Sequence, residues 1–213
     1  MHQLDTLQLV ALAAAIGWTS GIRLYAVLFV VGAVGYLGWI DLPEHLRVLS
    51  HPAVLAASGF MVFVEFFADK IPGVDMAWDF VHTFVRIPAG AALAAAVFGD
   101  SDPAWTLAAA ILGGTLAAGS HFTKAGTRML INTSPEPLSN WAMSFGEDVL
   151  AGGLLYLALA HPVALLVVLA ALLAMLIWLA PKIARFIADI IARIVHWFSH
   201  IGSHHPTSDG PPQ

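Results

Sequence analysis

The sequence predicts an all-α, polytopic helical membrane protein with six to seven membrane segments, broken helices and a C-terminal amphipathic interfacial helix. Three observations carry that prediction. Hydrophobic residues make up 59% of the 213 positions and charged residues only 11%, with a mean hydropathy of +0.80. An average soluble domain carries about 25% charged residues, and a soluble fold of this size could not cover its surface with so few. Apolar runs recur that reach or approach the roughly 20 residues needed to cross a hydrocarbon core. The charge that is present is also concentrated, with Glu65, Asp69, Lys70, Asp75, Asp79 and Arg86 falling with His82 inside the single stretch Glu65–Pro88. Ionisable groups inside a membrane segment are costly and usually functional.

Composition also excludes some classes. A net charge of −5 with no run of Lys or Arg is not the footprint of a nucleic-acid binder. Without cysteine there is no disulfide framework, thiolate nucleophile or Cys-ligated metal. The N-terminus, Met-His-Gln-Leu-Asp-Thr-Leu, has neither the positive n-region nor the cleavage site of a signal peptide, and is expected to be retained. The expected location is a bacterial inner membrane, crossed several times.

Taken in order, residues Leu7 to Ile40 are apolar for too long to form one straight span. A break is expected at Gly17-Trp18-Thr19-Ser20-Gly21, just before Arg23. Either a short or re-entrant half-helix over Leu7–Ile16 feeds a span over Ile22–Trp39, which is the preferred reading, or the whole is one kinked helix. Asp41 to Pro52 reads as a loop and Ala53 to Ala68 as the next span, with Glu65 and Asp69 on one helix face. After Pro72-Gly73 a span is expected over Ala77–Phe98, followed by the acidic turn Gly99–Pro103 and a span over Ala104–Gly119 running into His121, Lys124 and Arg128. Pro135 and Pro137 make a second polar connector. A span over Ser139–Ala160 contains Glu147 and Asp148, and the last, Val163–Ala180, is expected to be closed by Pro181.

Lys and Arg near the span ends place the C-terminus in the cytoplasm, and Trp39, Trp105, Trp141 and Trp178 fall where an aromatic belt would lie. The domain division is a membrane domain over 1–181, a cytoplasmic amphipathic helix over 182–200 and a disordered tail over 201–213. His196, His200, His204 and His205 read as solvated polar groups of that tail region, not as metal ligands.

Four strings stand out together: Gly17-Trp-Thr-Ser-Gly-Ile-Arg-Leu-Tyr25, Ala68-Asp-Lys-Ile-Pro-Gly73, Trp78-Asp-Phe-Val-His-Thr-Phe-Val-Arg-Ile-Pro-Ala-Gly90 and Ser134-Pro-Glu-Pro-Leu-Ser-Asn-Trp141. With them the chain resembles, from about Leu7 to Ala180, a bacterial integral membrane family filed as domain of unknown function four-one-two-six. The resemblance supports the membrane reading and the choice of polar motifs, and implies no catalytic assignment.

If the chain is helical from Asp75, then Asp75, Asp79, His82 and Arg86 form one stripe opposite Ala77, Phe80, Phe84 and Ile87. Arg86 lies too deep to be free in hydrocarbon, and Arg23 poses the same problem. Both need carboxylates, for which Glu65, Asp69, Glu147 and Asp148 are available. A buried ion-pair network linking the motifs is expected. The candidate site for a substrate or ion is therefore Arg23, Glu65, Asp69, Lys70, Asp75, Asp79, His82, Arg86, His121, Lys124, Arg128, Asn140, Glu147 and Asp148.

Transport of a small ion or polar solute is the first reading, with the carboxylates as ion or proton carriers, Arg23 and Arg86 as counter-charges and His82 as a proton relay. A weak match between the segments following Arg86 and Asp148 is compatible with an internal repeat. A membrane-embedded enzyme acting on a lipid or polyprenyl phosphate is the alternative, with a divalent cation as cofactor on Asp75, Asp79 and His82 and phosphate gripped by Lys70, Lys124, Arg128 or Arg86. A structural or accessory subunit held in register by the network is the third reading. The partners expected are the lipid bilayer and the small solute; a homo-oligomer is compatible with the sequence.

Overall fold

The computed structural model describes residues 4–71, 73–99, 101–132 and 137–202. Pro72, Asp100, the connector positions 133–136 and the expected tail from Ser203 lie outside the described residues, as do the side chains of His196 and His200. The described chain forms helices α1 (Thr6–Tyr36), α2 (Pro52–Ala68), α3 (Val74–Val97), α4 (Pro103–Ile131), α5 (Pro137–Ala160) and α6 (Pro162–Gly202), with a short 3-10 helix over Glu44–Ser50 inside the expected loop.

Local chemistry sets most helix starts. The Asp5 carboxylate accepts from the Gln8 backbone N–H at 2.8 Å while the Gln8 side chain accepts from the Asp5 N–H at 2.9 Å, a reciprocal cap on α1. His51 and Asp102 cap α2 and α4 in the same sense, each followed by a proline at the first helical position. Before α3 the chain reverses through Gly73 at φ +87°, a conformation that glycine adopts without strain.

Four helices are long and apolar enough to cross a membrane alone, within Thr6–Tyr36, Val74–Val97, Leu138–Ala160 and Pro162–Arg193. The 3-10 helix and α2, bent by 68° at their junction, make a fifth if taken as one broken span. Large apolar side chains stand exposed along the helices, among them Phe60, Phe63, Phe80, Phe84, Leu107 and Val149, as contact with lipid tails requires. Trp39, Trp105, Trp141 and Trp178 are all exposed, as an aromatic belt needs.

The chain divides into two compact units, Met1–Leu172 and Leu173–Gln213. In the first, α1 is the central element and packs against α2, α3, α4 and α5. Small residues let three backbones approach. A Cβ added at Gly17 of α1 would lie 2.8 Å from the Gly113 Cα of α4, and one added at Gly90 of α3 would lie 2.6 Å from the Ala117 Cβ. Where lipid removes the hydrophobic drive, helices associate through such close contacts.

Two expectations are corrected. The helix does not break at Gly17–Gly21: α1 runs as one bent helix and leaves helical dihedrals at Arg23 (φ −141°, ψ 68°). The two glycines serve instead as the contact surface for α4. Pro181 does not close the last helix, because α6 passes through it. A proline removes one intrahelical bond, and the Leu, Ala and Ile residues on either side continue the helix. In the second unit the Lys182 ammonium lies 3.0 Å from the centre of the Trp178 ring.

Candidate functional site

The polar residues of α1, α3, α4, α5 and the link after α2 converge in one buried cluster. Its base is the stripe of α3. Asp75, Asp79, His82 and Arg86 are all buried, whereas Phe80 and Phe84 on the opposite face are 70% and 73% exposed. The same period of 3.6 residues aligns Ser120, His121, Lys124 and Arg128 on α4, and Ser144 with Glu147 and Asp148 on α5.

Arg86 donates to Glu65 of α2 at 2.5 Å and to Asp79 at 2.7 Å. Arg128 grips Glu147 through two nitrogens at 2.9 and 3.3 Å, donates to the Asp69 carbonyl at 2.5 Å, and lies 3.6 Å from Asp75. Arg23 pairs with Asp69, reaches Asp148 at 3.0 Å and Glu147 at 3.6 Å, and donates to the Ser144 hydroxyl at 2.9 Å. Between them lies Lys124, whose ammonium is 3.0 Å from Asp69, 3.4 Å from Asp79 and 3.4 Å from Glu147.

The bend of α1 completes this centre. Carbonyl groups just before it accept from three successive donors on α4: Trp18 from the Ser120 hydroxyl at 2.6 Å, Gly21 from His121 at 3.3 Å and Ile22 from Lys124 at 3.2 Å. Backbone that departs from helical geometry inside a membrane needs polar partners, and α4 places three donors beside the bend. The helix leaves regular geometry at the residue whose guanidinium is held by Asp69, Asp148 and Ser144.

The buried charges balance. Arg23, Lys70, Arg86, Lys124 and Arg128 face Glu65, Asp69, Asp75, Asp79 and Glu147, while Asp148, with 37% of its side chain exposed, is the surplus carboxylate at the edge. In the link between α2 and α3, outside the spanning helices, two groups are displaced from their ordinary values. Burial by itself would raise the Asp69 carboxyl, but Lys124, Arg23 and Arg128 outweigh it and hold it below the usual carboxylate value. Burial pulls the Lys70 ammonium down. That ammonium sits among Phe66, Phe145 and Trp141 at 2.9, 4.9 and 5.8 Å from the ring centres and donates to the Phe66 carbonyl at 3.1 Å.

The metal set expected from the sequence is not assembled. Asp75 accepts from Asn132 at 3.0 Å, Asp79 is held by Arg86 and Lys124, and His82 lies between the Trp78 carbonyl at 2.8 Å and the Tyr25 hydroxyl at 3.0 Å. Among the described residues no three His, Asp or Glu side chains converge on a point where a cation could be bound. The shared helical stripe was correct, but each member finds a partner on a different neighbour.

The remaining expected residues join the cluster. His121 meets the Thr83 hydroxyl at 2.7 Å and Arg86 at 3.4 Å, and Asn140 donates to Asn132 at 3.2 Å. Sequence reasoning missed Tyr25, Thr83, Ser120, Asn132 and Ser144. The signal for Ser144 was its spacing of three and four residues from Glu147 and Asp148. Tyr25 and Asn132 had no such signal, since their partners lie 57 residues away.

Two grooves lie apart from the cluster. One, of about 450 Å³, is apolar and runs between α1 and α5 beside Trp39 and Tyr156. The other, of about 320 Å³, is lined by Asp41, Glu44, Arg47 and Ser101. Neither is lined by a cluster residue.

Residues 10–182 match the model of the family described as Domain of unknown function (DUF4126), a stretch that holds every residue of the cluster. Neither a curated protein nor a solved structure matches the chain.

Proposed function

The chain belongs to that family of unknown function, so its activity has to be read from the site, and we propose that it transports a small ion through the buried charged cluster. One observation carries this reading: Lys124 contacts carboxylates from three chain segments and the Ile22 carbonyl beside the bend of α1. Broken helices with charged residues at the break are how membrane proteins build ion sites inside the bilayer. Every charged side chain of the cluster but Asp148 is buried, which supports an occluded transport site. In this reading Glu65, Asp69, Asp79, Glu147 and Asp148 supply the site's negative charge, Arg23 and Arg86 their counter-charge, and the His82–Tyr25 pair a relay at its edge.

Burial and pairing throughout the cluster also favour a second reading, an ion-pair lock that only holds an accessory subunit in register. A metal-dependent membrane enzyme acting on a lipid or polyprenyl phosphate has no comparable support, because among the described residues Asp75, Asp79 and His82 do not converge on a cation site.

Reconstitution separates the two. Wild-type protein in sealed vesicles is compared with Asp79→Asn while proton, sodium, potassium and chloride movements are followed with ion-sensitive dyes. Transport is expected to give flux in the wild type and loss of flux in the variant. Folded wild-type protein that moves none of the four ions supports the lock and overturns the transport reading.

A further inference from the structure

Resting on the transport reading, we propose that the ion is a proton and that Lys124 carries it, the carboxylates around it serving as fixed counter-charges. The first ground is what each other group faces. Glu65 and Asp79 face Arg86, Asp69 and Asp148 face Arg23, and Asp75 and Glu147 face Arg128. A guanidinium does not give up its proton, so each of the five buried carboxylates is held ionised by a permanent positive charge, and the surplus Asp148 lies at the exposed edge of the cluster. His82 lies between the Trp78 carbonyl and the Tyr25 hydroxyl, and an additional proton on His121 would make its ring positive with Nδ1 3.4 Å from the Arg86 guanidinium.

Lys124 differs in chemistry and in position. An ammonium is a point charge that can release one of its protons, which an arginine cannot do. This one touches the link after α2 through Asp69, α3 through Asp79, α5 through Glu147 and α1 through the Ile22 carbonyl. Lys70, the other buried lysine, lies among Phe66, Phe145 and Trp141 and bonds to Ser144, whereas Lys124 meets three carboxylates.

The charged and titratable groups of the cluster that holds Lys124 are Arg23 and Tyr25 of α1, Glu65 of α2 with Asp69 and Lys70 after it, Asp75, Asp79, His82 and Arg86 of α3, His121 and Arg128 of α4, and Glu147 and Asp148 of α5. With Lys124 charged, the ten buried charges cancel. When its ammonium becomes an amine, the proton passes to water on one side and the buried set is left with one net negative charge. Uptake of a proton from the other side restores neutrality. The proton changes the net charge of the buried set by one, and it shifts a conformational equilibrium where one arrangement of the cluster binds it better than another.

The test uses the full-length chain in sealed vesicles with an internal pH dye, the membrane potential being clamped by potassium and valinomycin. Wild type is expected to collapse an imposed pH gradient faster than protein-free vesicles. Lys124→Arg keeps the charge without an exchangeable proton and is expected to lose that flux while its thermal midpoint stays close to wild type. Lys124→Ala is the second variant, and added propylamine is expected to restore its flux. Proton flux in Lys124→Arg equal to wild type, or no amine rescue of folded Lys124→Ala, overturns Lys124 as the carrier and leaves transport standing. Sodium or chloride movement without protons, or potassium movement without protons in vesicles lacking valinomycin, overturns the choice of ion. A wild type that moves no ion at all overturns this proposal together with the reading it rests on.

Discussion

The guanidinium of Arg86 meets the carboxylate of Glu65 at 2.5 Å, with the two side chains 0% and 1% exposed. The pair ties α3 to α2, a helix that otherwise packs chiefly on α1. Removing one partner leaves the other as an unpaired buried charge, which costs about 3–5 kcal/mol. Arg86→Gln should therefore destabilise the protein severely, by loss of detergent-resistant fold or a lowered thermal midpoint. The double variant Arg86→Met with Glu65→Leu should recover part of that loss, although Asp79 keeps only Lys124 of its two partners. Equal damage in single and double variants would contradict the pairing.

Burial should grade the carboxylates that share Arg23. Asp69 is fully buried, whereas 37% of the Asp148 side chain is exposed. Asp148→Asn is expected to cost about 0–1 kcal/mol, as water screens exposed pairs. Asp69→Asn should cost several times more, within the roughly 3–5 kcal/mol of a broken buried pair. Denaturant titration in mixed micelles gives the two values, and a reversed order would contradict the burial gradient.

Glycines that touch another backbone should behave differently from those that do not. A Cβ at Gly21 would collide with the Ser120 hydroxyl and the Ala117 carbonyl of α4. Gly21→Ala should push α1 from α4, at a cost of about 1–3 kcal/mol. Nothing lies within 4 Å of a Cβ added at Gly152 or Gly153. Alanine there should be neutral or stabilising by up to about 1 kcal/mol through helix propensity. Thermal midpoints of the three variants test the contrast.

Acid should loosen the link after α2. The folded Asp69 carboxyl lies below its ordinary value, while the unfolded one titrates near 3.9. A depressed folded value means that ionised Asp69 stabilises the fold fully above the unfolded value and that the contribution is lost as pH falls through the folded one. The thermal midpoint should fall on the acid side of that window. In Asp69→Asn the same fall should be smaller, and an unchanged profile would show that other groups control it.

Period and charge made much of this legible. Asp75, Asp79, His82 and Arg86 share a face because their spacing follows the helix, and their depth demanded carboxylates that the structure supplies. What the spacing could not tell was which carboxylate meets which cation, because that depends on helix approach. Gly17 and Gly21 show the limit plainly. Glycines in a helix signal either a break or a close contact, and only the facing Gly113 and Ala117 decide for contact. The bend falls instead at Arg23, where long-range ion pairs override local propensity. Pro181 is the opposite case, a local breaker overridden by its apolar neighbours.

The lack of cysteine offers a direct measurement of whether the cluster ever meets water. Ser144 is 0% exposed and bonds to both Arg23 and Lys70. A single cysteine at that position, Ser144→Cys, can be probed with a membrane-impermeant thiol reagent applied to either side of oriented vesicles. A transport site opens alternately, so slow labelling is expected from both sides in the folded protein. Labelling from neither side until the protein is unfolded would contradict it and leave the cluster as a structural lock.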